Sequence, residues 1–574
     1  MTENEFETED TSSNSNGSHR AQHSFGGWVR WLVRPRLTFG GLVVGLWFAL
    51  WSLSPSLLPR GWVTQSVVTG IAAVCGYGIG SGLSAALRRW VVRREPSPLV
   101  KRRAWMALGA ISVIGLATML WKSRGWQDEL RTKVGLEPDP ALTRAYVVVV
   151  AAVVAVLVLF ISRLVRSGTR ALIRPLNRVV PPRVSMAVGS FIMLLLIVGF
   201  AQGVLARLAV STMQSMFSTI DHSTREGMYQ PTNAERSGGP GSVVDWDELG
   251  FQGRNFIGSG PRLAELESFG GDDCCEEPIR VYVGLAADDS LAERARLAVE
   301  ELERTGAFER EVLVLFTATG TGYINPYAAD AIEYLYGGDT ALVAMQYSYL
   351  PSWITVLIDD KPPGDTTRAM WDAVMEHLDE MDPDVRPTVL GFGESLGSFG
   401  LERGLETVEE IQTLSDGALL IGPTYDNPLR QELTRHRVEG SPEWQPKPSV
   451  PGVFFAQEPA DLPGPPSADD PPRIVYLQNA SDPVTWWNWG LWALEPDWNE
   501  RPYAVDRSPA FGWRPVVAFW QIVGDLPGAG EVPAGHGHIF GENVVDGWLA
   551  VRPPEGWVEA DTARLRDLLR DNLG

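Results

Sequence analysis

Five apolar runs without a charged residue stand out in the first part of the chain, at 38–59, 62–87, 104–121, 145–162 and 185–206. Each is near or above the roughly 20 residues that a helix needs to cross about 30 Å of hydrocarbon, so the pattern predicts five membrane-spanning helices. From residue 278 onward the pattern changes. Short β-rich runs (278–285, 312–316, 340–348, 387–392, 417–422, 473–478 and 515–523) alternate with helical stretches near 290–305, 326–336, 366–380 and 396–411. Strands separated by helices predict a mostly parallel, doubly wound sheet with helices on both faces and a ligand site at the carboxyl ends of the strands. The stretch 440–472 carries ten prolines and reads as an irregular excursion that can cap that site.

These patterns divide the chain into an acidic, Ser/Asn-rich tail (1–24), a five-span membrane domain (25–206), a juxtamembrane helix with a Gly/Ser linker (207–277) and an α/β domain (278–574). The tail has neither a basic leader nor a small-residue cleavage site, so the first span is expected to act as an uncleaved anchor. No Asp, Glu, Lys, Arg or His lies inside a span, which argues against an ion or proton path.

Charge adds an orientation. Residues 1–206 hold 23 basic and 10 acidic residues, whereas 207–574 hold 26 and 60, within a net charge of −21. The basic residues crowd into alternate loops: Arg30, Arg34 and Arg36; then Arg88 to Arg103; then Arg163 to Arg183. The positive-inside rule places these loops and the N-terminus in the cytoplasm, and five spans then leave the acidic domain on the extracytoplasmic side. An acidic domain repels phosphate, which excludes nucleic acid as a partner; the expected partners are the lipid bilayer and a lipid-like or envelope-linked substrate.

The strand 387–392 runs into Gly393-Glu394-Ser395-Leu396-Gly397, a G-x-S-x-G turn that lifts a Ser hydroxyl above a sheet. Partners follow in the order Ser, acid, His. The acid is read as Asp482, after the strand 473–478; its bland reading is the cap of a following helix, and Asp525 is the reserve. The base is His536 or His538, the only histidines after Asp482, with a slight preference for His538. A His-x-His metal pair is the alternative there, but no Cys or further His clusters nearby, so neither metal nor cofactor is expected. Oxyanion donors are expected at Leu396 and in the loop Thr317-Ala318-Thr319. Gly391-x-Gly393 does not extend to a dinucleotide loop, since position 396 is Leu. Trp486, Trp487, Trp489, Trp492 and Trp498 line a substrate groove or pack a helix on the sheet. Cys274 and Cys275 read as two thiols or a strained vicinal ring.

The segments SPSLLPR (54–60), EPIRVYVGL (277–285), ELERTGAFER (301–310), GGDTALVAMQYSYLPSW (337–353), GESLG, NASDP and GHGH together resemble the actinobacterial α/β-hydrolase family that carries an N-terminal multi-pass domain. The resemblance implies an α/β-hydrolase fold with Ser395, Asp482 and His536 or His538 as triad. GESLG lacks the His that precedes the nucleophile in many lipases, so a triglyceride lipase is not implied. The expected function is a membrane-anchored serine hydrolase of lipid-like or cell-envelope esters; the alternatives are an acyltransferase to an envelope lipid or glycan, and a non-catalytic scaffold.

Overall fold

The computed structural model describes residues 37–90, 97–138, 145–176, 206–271, 274–467 and 469–574. The tail 1–24 and the fifth apolar run, up to residue 205, lie outside them. Among the described residues four helices form the N-terminal bundle: α1 (Phe39–Ser52), α2 (Trp62–Trp90), α3 (Pro98–Lys133) and α4 (Ala145–Leu176). Among the described residues three helices, not five, are long and apolar enough to span a membrane, namely α2, α3 and the Tyr146–Ala171 part of α4. The run 38–59 is not one span. Its helix stops at Ser52 because Pro55 and Pro59 each lack a donor and bar helical geometry to the residue before them.

α1 and α2 form an antiparallel hairpin held at glycines. A Cβ at Gly80 would sit 2.3 Å from the Gly40 carbonyl oxygen, and one at Gly76 2.7 Å from that of Val44. Phe39 meets Trp105, and Trp62 meets Tyr146, which sets the direction of the other two helices. The basic stretches Arg88–Arg89, Lys101 to Arg103 and Arg163 to Arg170 therefore lie at one end of the bundle, from which α3 runs away to finish on Arg131 and Lys133. The loop 53–61 lies at the other.

The α/β region is built on a seven-stranded, fully parallel sheet in the order β1-β3-β2-β4-β5-β7-β6. Its strands are β1 (Ile279–Val283), β2 (Val312–Thr317), β3 (Thr340–Met345), β4 (Thr388–Glu394), β5 (Gly417–Ile421), β6 (Val453–Ala456) and β7 (Arg473–Leu477). Most are uninterrupted apolar runs, as burial on both faces requires. Helices Leu291–Thr305, Pro362–Glu380 and α5 (Leu396–Gly404) pack together over β1 to β4. Pro326–Leu335, Val544–Val551 and Glu559–Leu573 pack together over β3, β5 and β7.

Three expectations are corrected here. The Pro-rich stretch 440–472 is not wholly irregular: its one proline-free apolar run makes β6, an edge strand that needs only the β7 ladder. The helix expected over 396–411 is two, broken after Gly404. The run 515–523 is not a strand but lies mostly in helix α6 (Val517–Asp525), because short apolar runs carry no period that separates strand from buried helix. The vicinal cysteines are joined to each other as a disulfide.

α6 is where the two parts of the chain meet. Its polar positions, Gln521 and Asp525, are one helical turn apart and address the broken loop 53–61. Asp525 accepts from Ser56 Oγ at 2.8 Å, from Leu57 N–H at 3.0 Å and from Leu58 N–H at 3.4 Å, with Arg60 Nε 3.6 Å away. Gln521 Nε2 donates to the Ser54 carbonyl at 2.9 Å. Leu57 is buried with Trp486, Trp498, Phe511 and Phe519, and Leu58 with Ala529 and Val532.

Candidate active site

β4 ends at Glu394 and α5 starts at Leu396, leaving Ser395 alone in the turn with φ 54° and ψ −118°. This strained backbone is tolerated because the flanking glycines remove the atoms that would clash. A Cβ at Gly393 would lie 2.7 Å from the Gly397 backbone, and one at Gly397 2.3 Å from the Thr317 carbonyl oxygen. Ser395 N–H donates to the Ile421 carbonyl at 2.9 Å, which ties the turn to the end of β5.

Asp482 follows β7 and is fully buried. Its Oδ2 is 2.6 Å from His538 Nδ1, and its Oδ1 accepts from Val484 N–H at 2.8 Å. It thus caps the short helix Pro483–Trp486 and orients an imidazole at once, so the two readings of this residue were never exclusive. Its neighbours hold the loop that carries His538. Asn479 Nδ2 donates to the Gly537 carbonyl at 2.9 Å, Gly537 N–H donates to Ser481 Oγ at 3.0 Å, and His538 N–H to the Ala529 carbonyl at 2.8 Å. The His538 ring lies against Gly422, where a Cβ would be 2.6 Å from Cε1. Gly422 directly follows Ile421, the residue that anchors Ser395. With Nδ1 taken by Asp482, the free nitrogen of His538 is Nε2.

The other histidine has a different partner. His536 Nδ1 is 3.7 Å from Oδ2 of Asp506. The reserve acid Asp525 belongs to the junction with the loop 53–61 and meets neither histidine among the interactions described. Among the described residues no group of three His, Cys, Asp or Glu is placed to hold a metal ion.

Of the expected oxyanion donors, Leu396 is the first residue of α5, where a backbone N–H has no partner within its own helix. Thr317 closes β2 opposite Gly393. Thr319 N–H is already donated to the Tyr323 carbonyl at 3.0 Å, which removes it from the set. Ala318 stays beside the turn, and its N–H meets no backbone acceptor among the described residues.

Glu394, the residue before Ser395, was not singled out from the sequence. Burial pushes its carboxyl up, opposed by the nearby His538 charge and a hydrogen bond from Asn325, and its Oε2 has no hydrogen-bond partner. Burial alone would lower His538, but Asp482 and Glu394 outweigh it and hold the imidazole above its ordinary 6.5. Asn325 was also missed, although a residue that caps Pro326–Leu335 just after a Gly-rich loop is the available signal.

Residues 279–565 match the alpha/beta-hydrolase family, and residues 53–261 match the N-terminus of that family. The chain belongs to the alpha/beta-hydrolase family. No curated protein and no solved structure matches it. Family membership makes a hydrolytic enzyme the reading to test, and the N-terminal match takes in both the buried loop 53–61 and α2 to α4. In this member of the family the Ser395 turn, Asp482 and His538 all lie at the carboxyl ends of β4 and β7 or in the loop held against them, where a parallel sheet presents its ligand site.

Proposed function

We propose that this hydrolase is a membrane-anchored serine esterase acting on a lipid-like or cell-envelope ester. The observation that carries the reading is the 2.6 Å bond between buried Asp482 and His538, beside the strained turn of Ser395. Ser395 Oγ attacks the ester carbonyl carbon while His538 Nε2 takes its proton. Negative charge on the tetrahedral oxygen is met by the N–H groups of Leu396 and Ala318. The imidazolium returns the proton to the departing alcohol, leaving an acyl group on Ser395. Water, activated by the same nitrogen, releases the acid.

The end of the bundle with Arg88, Arg89, Lys101 to Arg103 and Arg163 to Arg170 lies opposite the loop 53–61, whereas at the other end Asp128 and Glu129 accompany Arg131 and Lys133 of α3; this excess supports a cytoplasmic position for the former and an extracytoplasmic one for the α/β domain. An enzyme fixed to the bilayer in this way suits substrates that do not diffuse to it.

The test is labelling of the detergent-purified protein by a fluorophosphonate, wild type beside Ser395→Ala. Labelling of the wild type only is expected. Failure of both to label would move the chain to a non-catalytic scaffold, and label retained by the variant would place the nucleophile elsewhere.

A further inference from the structure

The aromatic cluster after Asp482 resolves into two layers. Trp486 and Trp498 are buried in the core beneath α6, whereas Trp489 is 73% exposed, Leu494 70% and Trp492 40%. The exposed indoles pack on α6: Trp489 stacks on Phe519 at 5.5 Å, and Trp492 meets Phe519 at 5.4 Å and Trp520 at 6.4 Å edge-on. Neither 486–494 nor 515–524 contains a charged residue, within a region of 60 acids. Large exposed apolar patches of this kind mark a partner surface.

The bundle says which partner. α6 packs along α2 and α1. Gly524 meets Val68, where a Cβ would be 2.4 Å from Cγ2, and the Trp520 indole lies beside Cys75. From Arg88, at the basic end of α2, about 30 Å of hydrocarbon corresponds to about 20 residues of helix and ends near Val68. Cys75 is seven residues inside that limit, or about 10 Å. The surface formed by Trp489, Trp492 and Trp520 is thus continuous with the lipid-facing side of the bundle, at the depth reached by interfacial aromatic residues. Arg514 stands over the Trp51 ring at 3.4 Å, near the outer end of α1, with its charge at the level of the boundary.

We propose that Trp489, Trp492 and Leu494, backed by Phe519 and Trp520, form a wedge that the α/β domain inserts into the outer leaflet of the bilayer. The wedge begins within seven residues of Asp482, separated from it by one short helix. On the esterase reading above, a lipid then presents its ester to Ser395 while its acyl chain stays in the membrane, and the substrate class is a bilayer-resident ester.

The test uses the full chain with Cys75→Ser, spin-labelled at Trp489→Cys or Leu494→Cys, in nanodiscs of phosphatidylcholine and phosphatidylglycerol. The control is Val505→Cys, 80% exposed, whose carbonyl accepts from Lys133 at the outer end of α3. Collision with oxygen is expected to exceed collision with a water-soluble nickel chelate severalfold at 489 and 494, and the order to reverse at 505. Nickel access at 489 and 494 equal to that at 505 overturns the wedge. Exclusion of both reagents also overturns it, because protein (a second copy, or residues 177–205) then covers the patch. Depth is read independently of turnover, so fluorophosphonate labelling of the same nanodiscs tells failure of the esterase reading from failure of the wedge.

Discussion

On the proposed esterase reading His538 is a base only when neutral, and Asp482 and Glu394 both favour its charged form. The acid limb of kcat/KM is therefore expected above 6.5, the ordinary value. Glu394→Gln removes a negative charge beside the imidazole, so that limb should move to lower pH; a limb that stays in place or rises would remove Glu394 from the electrostatics of the site. Asp482→Asn should cost on the order of 10⁴ in kcat, because it presents the wrong partner to Nδ1. Gly397→Ala places a methyl group 2.3 Å from the Thr317 carbonyl oxygen, so loss of fluorophosphonate labelling is expected even with Ser395 intact. At this scale the turn of Ser395 and the place of Asp482 were legible, since a strand, a turn and a helix surround the first and a strand end precedes the second. His536 and His538 were not separable, because two residues of one loop differ only in which carboxylate lies across from them. Thr319 was legible as a neighbour of the turn, but not as a donor already engaged by Tyr323.

Helix α6 shows what a run of apolar residues conceals. Val517, Ala518, Phe519 and Ile522 suit a buried strand as well as a buried helix, and only the four-residue interval between Gln521 and Asp525 pointed to a helix face. That interval had no meaning without the loop 53–61, which is hundreds of residues away in sequence. The first span was misjudged for the same reason: its apolar tail, Leu53 to Pro59, is hydrophobic because it is buried against protein. Asp525→Ala leaves Arg60 buried without its carboxylate and strips three further bonds, so a loss of about 3–5 kcal/mol is expected. Thermal unfolding of the full chain in detergent would read it, and Asp525→Asn should lose less. A lowered labelling rate should accompany the loss, because Leu58 and the His538 loop share Ala529 as a support.

The whole molecule is polarised, with Arg88, Arg89, Lys101 to Arg103 and Arg163 to Arg170 at one pole and the Ser395 site at the other. A membrane-impermeant maleimide should modify Asn572→Cys on intact cells and Ser24→Cys only after lysis; the reverse would invert the proposed topology. The same polarity has a consequence in time. Ser56 and its partner Asp525 are 469 residues apart, so at about 5–20 residues per second roughly 25–90 s of synthesis separate them. The α1–α2 hairpin is made first and waits with its loop unsatisfied. A chain stopped anywhere short of residue 525 has no acceptor for Ser56, Leu57 and Leu58, so its loop 53–61 is expected to be cut by proteases that leave the loop of the full chain intact.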